Sequence, residues 1–303
     1  MGLLTPLIKK LINPFELAQI LKMQRNRKKV ERVYDDAQLK LYGQILKGDF
    51  LHYGYFDNPD TKAEDISLNM IYHAQWRYAD LLASKISSNE GEILDIGCGM
   101  GGLIKLLQER GMKPVALTPD KTQIHHITEK YPNVPRYHCR FEDIPVVENT
   151  NRYNTLITSE SLQYLKLDEA LPLLHKISKP DARWIACDYF RTGDKAEKSG
   201  HLWSVFTEKL DAHGWEIEYE QDVTPNILPT IAYVYHWGNN IVKPLVEFGI
   251  GKLEVKAPGW HYAAAETIEK LKEKLEKNLK TVDPELFGAN KRYKLLVFRK
   301  KHK

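Results

Sequence analysis

A glycine-rich run follows an apolar strand, and an acid lies at the end of that strand. The stretch EILDIGCGMGG contains Asp95, Gly97, Gly99, Gly101 and Gly102. Glycine tolerates positive φ and lets the backbone come close to a bound molecule. A turn of this kind that opens a helix presents backbone amides to a ligand. The run therefore predicts a nucleotide-type site, and the Asp95 carboxylate predicts a contact with a positively charged group.

The next strand, KPVAL, lacks an acid that such sites usually have. In dinucleotide-binding units the second strand ends in Asp or Glu, which binds the ribose hydroxyls. Here the strand is followed by Thr118. The spacing of Gly97, Gly99 and Gly102 fits a dinucleotide enzyme. An NAD-linked oxidoreductase is therefore an alternative, although the missing acid argues against it.

The elements around this run alternate between strand and helix. Segments with helical patterning or turns, among them a turn at KPDAR, separate five predicted strands: EILDIG, KPVAL, PRYHCR, NTLITS and WIACDYF. Such alternation predicts a parallel sheet with helices on both faces and right-handed crossovers. A mostly helical stretch lies before the final strand YKLLVFRK, which is expected to be antiparallel. The predicted fold class is α/β: a doubly wound, Rossmann-like sheet with N-terminal helices and a helical cap inserted between the last two strands.

The stretch LDIGCGMGG resembles motif I of the class I S-adenosylmethionine (SAM)-dependent methyltransferases almost residue for residue. The resemblance extends from about Phe50 to Phe190 and includes the strand pair at the end of the chain. It implies a seven-strand sheet with an antiparallel last strand, and SAM as the cofactor. It also implies SAM contacts from the residues of the motif, which are Asp95, Gly97, Cys98, Gly99 and Gly101.

The ribose stretch departs from the usual pattern of that family. VALTPDKTQ is similar to the V-G-L-T-L-S-x-x-Q stretch of the cyclopropane fatty-acid and mycolic-acid synthase branch. This likeness implies that Thr118 and Gln123 contact the ribose of SAM. The alternatives are a ribose contact from Asp120, or none from this stretch. Replacing charge-assisted hydrogen bonds by neutral ones lowers affinity by about tenfold, which would not abolish the site.

Two more stretches resemble parts of a SAM pocket. RFEDIP implies that Glu142 or Asp143 accepts the adenine amino group, with Phe141 against the ring. YNTLITSESLQYL implies that Ser159 and Glu160 lie beneath the methionine part of SAM.

The aromatic loop HYGYF resembles a loop that precedes motif I in several small-molecule methyltransferases. Tyr53 and Tyr55 are its candidate cofactor contacts, because an aromatic face stabilises a sulfonium cation by roughly 0.5–2 kcal/mol. Core packing beneath a loop would explain the same residues.

Plain methyl transfer is favoured over cyclopropane formation. The cyclopropane branch holds its bicarbonate base partly through a Cys in the aromatic loop and a Glu after strand four. This chain has Tyr53 and Gln163 at those positions. Ring closure needs a base, so losing two of its anchors disfavours that reaction. In-line methyl transfer mainly requires alignment of acceptor, methyl and sulfur. A cyclopropane-synthase-like lipid-modifying enzyme stays an alternative, as does a catalytically silent SAM-binding subunit.

A general base is needed only if the acceptor is protonated. The candidates are Glu160, Tyr164, His52, His201 and His236. The insertion PNILPTIAYVYHWGNN is rich in apolar and aromatic residues, which predicts a small, apolar or amphipathic, lipid-like acceptor.

Composition narrows the remaining functions. The 303 residues carry a net charge of +4, too small to indicate nucleic-acid binding. The three cysteines form no CxxC pair, which predicts a reducing, cytoplasmic setting and no metal site. Contact with a membrane through the N-terminal helix and homo-oligomer formation stay open. The expected divisions are residues 1–49 (helical extension), 50–224 (SAM-binding core), 225–288 (cap over the acceptor pocket) and 289–303 (last strand and basic tail).

Overall fold

The computed structural model describes residue 10 and residues 12–25, 48–87, 91–193 and 199–301. The chain divides into two units, residues 1–40 and 41–303. The helix described in the first unit is α1 (Pro14–Arg25), and the side chains of Phe15 and Leu21 on it are exposed. Residues 1–9, 11 and 26–47 of the predicted N-terminal extension lie outside the described residues.

The described part of the second unit contains a mixed sheet and the helices around it. The strands are β1 (Glu92–Ile96), β2 (Lys113–Leu117), β3 (Arg136–Tyr137), β4 (Tyr153–Ser159), β5 (Ser178–Arg191), β6 (His201–Leu202), β7 (Trp215–Asp222) and β8 (Lys291–Lys300). The α-helices are α2 (Leu68–Ala83), α3 (Gly102–Glu109), α4 (Lys121–Lys130), α5 (Val146–Asn149), α6 (Leu167–Ile177), α7 (Trp203–Ala212), α8 (Thr224–Trp237), α9 (Lys243–Lys256), α10 (Pro258–Thr281) and α11 (Pro284–Asn290).

The strand order is β3-β2-β1-β4-β5-β8-β7, and the short β6 pairs with β5. β8 is antiparallel to both of its neighbours, while the pairs among β1 to β5 are parallel. The predicted seven-strand sheet with an antiparallel last strand is therefore confirmed, with β6 as an unpredicted addition. The helical insertion also lies between β7 and β8, as predicted.

Both faces of the sheet are covered because the central strands are apolar on both sides. Leu94 of β1 belongs to a buried cluster that includes Leu174 of α6 and Phe206 of α7. Its neighbour Ile93 belongs to a second cluster, which includes Leu82 of α2. Neighbouring residues of a strand point to opposite faces, so a strand buried on both sides needs a continuous apolar run.

The strand order reverses direction between β1 and β4. The chain goes from β1 to β2 and β3 on one side, and then returns to β4 on the other. In open α/β sheets such a switch point leaves a crevice beyond the carboxyl ends of the strands. The residues after β1, β2 and β4 therefore lie where a ligand can bind.

Candidate cofactor and acceptor site

The glycine-rich turn after β1 is anchored on the end of β2. The amides of Gly97 and Cys98 donate to the Leu117 carbonyl at 2.8 and 3.1 Å. Gly97, Gly99 and Gly101 have φ values of 81°, 56° and 90°. These are left-handed values that glycine adopts without a steric penalty, so the residue type matches the backbone of the turn.

Two glycines of this turn have different surroundings. A Cβ at Gly97 would lie 2.5 Å from the Ser161 Cβ, which leaves no room for a side chain. A Cβ at Gly99 would have its nearest neighbour, Leu51, at 3.5 Å. The backbone at Gly97 is thus closely packed, while a Cβ at Gly99 would make only ordinary van der Waals contact.

Asp95 is a buried acid just before this turn. Its side chain is 2% exposed, and Oδ2 accepts no hydrogen bond from the part of the chain that the structure describes. Burial raises the pKa of Asp95 to about 7. A buried acceptor without a donor is costly, and a bound ammonium group would satisfy it. The turn and this acid therefore fit the methionine end of SAM.

The end of β2 brings two of the predicted ribose contacts together. Thr118 Oγ1 donates to Gln123 Oε1 at 2.6 Å, and both side chains are buried. The Asp120 carboxylate instead caps α4, because Oδ1 accepts from the amides of Thr122 and Gln123 at 2.8 and 3.2 Å. The carboxylate of Asp120 thus has a structural role, while the neutral pair favoured by the sequence is preassembled. A ribose contact from either stays a prediction.

The three predicted adenine contacts lie on one short 3-10 helix, Phe141–Asp143. Phe141 is 1% exposed and packs in the core. Glu142 Oε1 accepts from the Lys166 amide at 3.1 Å, at the start of α6. Asp143 is exposed. An adenine contact from Glu142 would have to share this carboxylate with α6, and the adenine assignment stays a prediction.

A polar cluster lies beyond the end of β4, centred on Glu160. This residue has a φ of 49°, an uncommon value for a residue with a side chain. Glu160 Oε1 accepts from the Tyr53 amide at 2.9 Å and from the Tyr293 hydroxyl at 2.6 Å. The aromatic loop and β8 thus hold one oxygen of the Glu160 carboxylate.

A chain of hydroxyl groups leads inward from Glu160. The Tyr293 and Tyr78 hydroxyls lie 3.1 Å apart, and Tyr78 donates to the Cys187 carbonyl at 3.0 Å. Ser159 Oγ donates to the Tyr78 hydroxyl at 3.3 Å. While Glu160 is ionised, Tyr293 donates to it. If Glu160 is protonated, it can donate to Tyr293, whose own proton can turn to Tyr78. Both protonation states of Glu160 therefore have hydrogen-bond partners.

Two acids of this region have raised pKa values. Burial raises the pKa of Glu160 to about 7, although the hydrogen bonds from Tyr293 and Tyr53 oppose the shift. Burial, and then the charge of Glu160, raise the pKa of Asp188 on β5 to about 8. Asp188 Oδ2 accepts from the Gln163 amide at 3.1 Å. Glu160 therefore titrates near neutral pH, which suits a residue that accepts a proton.

His52 lies against the same cluster. Its ring stacks on Tyr78 with centroids 4.2 Å apart, and Nδ1 lies 2.7 Å from the Tyr53 carbonyl. A carbonyl only accepts, so Nδ1 carries the proton and Nε2 is an acceptor. Nε2 is buried and has no hydrogen-bond partner among the described residues. Burial lowers the pKa of His52 to about 4, so the ring is neutral at neutral pH.

The remaining candidates lie apart from the hydrogen bonds of the cluster. The Tyr55 amide donates to the Ala74 carbonyl at 2.9 Å, and this residue belongs to the aromatic loop. His201 Nε2 lies 2.9 Å from the Leu162 carbonyl. His236 Nδ1 lies 3.0 Å from Asn240 Nδ2 on the cap. Tyr164 is 54% exposed.

Three functional candidates were missed by sequence reasoning: Tyr78, Asp188 and Tyr293. Of the three, Asp188 had a sequence signal, since an acid interrupts the apolar strand WIACDYF. Tyr78 and Tyr293 follow ordinary helix and strand patterns, and they meet only because α2 packs on the sheet at β8. Within the described residues, no group of three or more His, Cys, Asp or Glu is placed to hold a metal ion.

The comparison with known proteins agrees with this geometry. Residues 93–181 match the family described as Methyltransferase domain. The matched segment includes Asp95 and the glycine-rich turn. An uncharacterized methyltransferase of Alkaliphilus oremlandii is 29% identical over 80 residues, which are 26% of this chain and 36% of that protein. The chain thus matches about a third of the length of this curated relative.

Solved methyltransferase structures share the fold of the domain. One of them is geranyl diphosphate C-methyltransferase from Streptomyces coelicolor, which was solved with Mg²⁺, geranyl-S-thiolodiphosphate and S-adenosyl-L-homocysteine. It has a TM-score of 0.60 and 13% identity, and the match covers 83% of this chain and 88% of that one. The cyclopropane synthase MmaA2 from Mycobacterium tuberculosis is similar with a TM-score of 0.62 and 16% identity, over 88% and 94%. Such identities show the fold alone. Together with the family match, they confirm the prediction of a class I SAM-dependent methyltransferase fold.

Proposed function

We propose that this chain transfers the methyl group of SAM to a small, amphipathic, lipid-like acceptor by in-line displacement. The observation behind the proposal is the buried Asp95 carboxylate, whose Oδ2 lacks a donor among the described residues, beside the left-handed backbone of the glycine-rich turn. SAM brings an ammonium group that satisfies such a carboxylate, and a sulfonium-bound methyl group that is ready for transfer. Thr118 and Gln123 would bind the ribose.

The chain's own groups have separate tasks in this reaction. Asp95 would hold the cofactor, and the Tyr53 ring, whose centroid lies 6.4 Å from that of Tyr293, would stabilise the positive charge of the sulfonium. The Glu160 carboxylate would accept the proton that a protonated acceptor loses. Tyr293 donates to Oε1 of Glu160 and keeps the carboxylate in place. Alignment of these groups would account for most of the rate.

We propose that the cap completes an acceptor pocket. Thr230 on α8 accepts a hydrogen bond from the Gly54 amide at 3.1 Å and donates to the Gly54 carbonyl at 3.0 Å. The Tyr293 amide donates to Thr224 Oγ1 at 2.8 Å. α8 therefore packs on both the aromatic loop and the strand that positions Glu160. The apolar side chains of α8 support an acceptor with an apolar part.

The affinity for S-adenosylhomocysteine, which keeps the ammonium group, is expected to rise with pH. Below about pH 7 the carboxyl of free Asp95 is protonated, so binding the cation must release that proton. The dissociation constant should fall by up to about tenfold per pH unit from pH 5 and level off near pH 7. Titration calorimetry of the wild type and of Asp95→Asn measures this. Asp95→Asn should bind weakly with a flat profile; a flat wild-type profile would exclude the Asp95–ammonium contact.

Substitutions at the end of β2 separate the two ribose alternatives. Thr118→Ala and Gln123→Ala should each weaken binding of S-adenosylhomocysteine about tenfold, the value of one or two neutral hydrogen bonds. Asp120→Ala should lower the free energy of unfolding by about 1 kcal/mol, because it removes the cap of α4, and should change affinity little. If Asp120→Ala alone abolishes binding, that acid is the ribose ligand and the likeness to the cyclopropane branch loses its basis.

The N-terminal helix supports a proposal of peripheral membrane contact. Ile12, Phe15 and Leu21 of this segment are exposed by 75, 84 and 60%. Lys22 and Arg25 lie in the last turn of α1. Exposed apolar residues with basic neighbours suit the surface of an anionic membrane. No described helix is long and apolar enough to cross a membrane.

The proposed function is tested by methyl labelling of cell extracts. The full chain is incubated with SAM that contains a deuterated methyl group, together with the organic or the aqueous fraction of an extract. A compound of the organic fraction should gain the mass of the deuterated methyl group, and the Glu160→Gln variant should lack this product. A labelled product confined to the aqueous fraction would exclude a lipid-like acceptor. No labelled product in either fraction would favour a silent subunit.

A further inference from the structure

One face of α9, in the cap, is apolar and exposed. α9 has no buried residue, although Leu245, Phe248 and Val255 are apolar. These side chains are exposed by 63, 63 and 81%. At about 100° per residue they fall on one side of the helix, together with Lys252 and Lys256. An exposed apolar stripe of this length indicates a surface that binds a partner.

The charges of α9 are divided between its two sides. Lys252 and Lys256 lie on the apolar side, and Lys252 Nζ is 5.3 Å from the centroid of the Phe248 ring. Glu247 and Glu254 fall on the opposite side by the helical period. A lysine can lay its alkyl chain along an apolar surface and keep its ammonium at the edge. The exposed side is therefore apolar and cationic, a combination that suits anionic lipid headgroups above acyl chains.

The position of α9 makes this side accessible. α9 and α10 form an antiparallel hairpin, because Lys243 at the start of α9 contacts Glu276 near the end of α10 at 2.5 Å. α9 has 14 residues, so its far end lies about 20 Å from that ion pair. Val255 and Tyr262, at this end, are 81 and 86% exposed. Tyrosine is enriched at membrane–water interfaces.

We infer that the exposed side of α9 and the end of the α9–α10 hairpin dock on an anionic lipid surface. Docking would bring the cap next to a membrane-borne acceptor; only this last consequence rests on the proposed function. A second copy of the chain is the other candidate occupant. In a two-fold interface the exposed side of α9 would face the same side of the second copy. Lys252 and Lys256 would then meet the lysines of that copy, and this side of α9 carries no acid to pair with them. Charge therefore favours the lipid surface.

Co-sedimentation of the full chain with vesicles tests the inference. Vesicles of phosphatidylcholine alone are compared with vesicles of phosphatidylcholine and phosphatidylglycerol in equal parts. The wild type should bind the anionic vesicles more tightly, and raised salt should weaken this binding. The double variant Leu245→Glu with Phe248→Glu should bind at least about tenfold more weakly, because two apolar side chains no longer enter the interface. Val147→Glu is the matched control, since Val147 is 91% exposed on α5.

Phe15→Glu, measured in parallel, gives the separate contribution of α1. Binding of S-adenosylhomocysteine, measured on every preparation, shows that the variants are folded, and it tests the cofactor site independently of docking. The inference is overturned if the wild type does not bind anionic vesicles, or if the α9 double variant binds like the wild type. It is also overturned if light scattering shows a dimer that the α9 double variant dissociates, because the second copy is then the occupant.

Discussion

Glu160→Gln is expected to lower kcat by about 10²–10⁴-fold, the usual contribution of a general base. Glutamine keeps the size of the side chain and an oxygen that accepts from the Tyr53 amide and the Tyr293 hydroxyl. The cluster should therefore stay assembled, and affinity for S-adenosylhomocysteine should change less than about threefold, because glutamine keeps these hydrogen bonds. Steady-state kinetics with the labelled acceptor and calorimetry measure the two quantities.

The pH profile shows whether the carboxylate acts as a base. In the wild type, kcat should rise with pH through about 7, as Glu160 ionises. The hydrogen bond from Tyr293 favours the ionised form, so Tyr293→Phe should raise the pKa of Glu160 and move this rise to higher pH. Tyr219→Phe, on β7, is the matched control and should leave the profile in place. A Glu160→Gln variant that keeps more than about a tenth of the wild-type kcat would exclude Glu160 as the base.

Gly97→Ala is expected to weaken binding of S-adenosylhomocysteine by about 100-fold or more. The new Cβ would lie 2.5 Å from the Ser161 Cβ, so the backbone of the turn must move. A displacement of about 1 Å in a positioned site costs on the order of 10²-fold. The left-handed φ of 81° adds a steric cost of roughly 1–2 kcal/mol in stability. Calorimetry and thermal unfolding measure the two effects.

Gly111→Ala separates the cost of a left-handed backbone from the cost of the steric clash with Ser161. Gly111 has a φ of 71°, and a Cβ there would have no atom within 4 Å. This variant should lose a similar 1–2 kcal/mol of stability and keep its affinity for S-adenosylhomocysteine. If both variants bind equally well, the close packing of Gly97 has no part in the cofactor site.

Much of the fold could be predicted because its signals are local. The apolar runs of β1 and β4 and the helical spacing between them predict a covered parallel sheet. The lengths of the strands were less predictable. A strand over PRYHCR was expected, but β3 contains only Arg136–Tyr137. β5 begins at Ser178, where a turn was expected, and its pairing with β4 shifts register there. β6, with two residues, exists only through its pairing with β5.

The site was predictable where chemistry requires residue types at short spacing. Asp95 and the glycines after it meet that condition, and so does the pair Thr118 and Gln123. The Glu160 cluster does not, because Tyr78 and Tyr293 are 215 residues apart in sequence and meet only in the folded sheet. His201 and His236 were selected by residue type alone. Residue type does not tell which histidines share a cavity, and the structure places these two outside the hydrogen-bonded cluster.

Calorimetric titration of the full chain with S-adenosylhomocysteine and, separately, with NADH tests the central claim, that the site at Asp95 and the glycine-rich turn binds SAM. We expect binding of S-adenosylhomocysteine that Gly97→Ala weakens by about 100-fold or more, and no heat with NADH. Binding of NADH without binding of S-adenosylhomocysteine would contradict it.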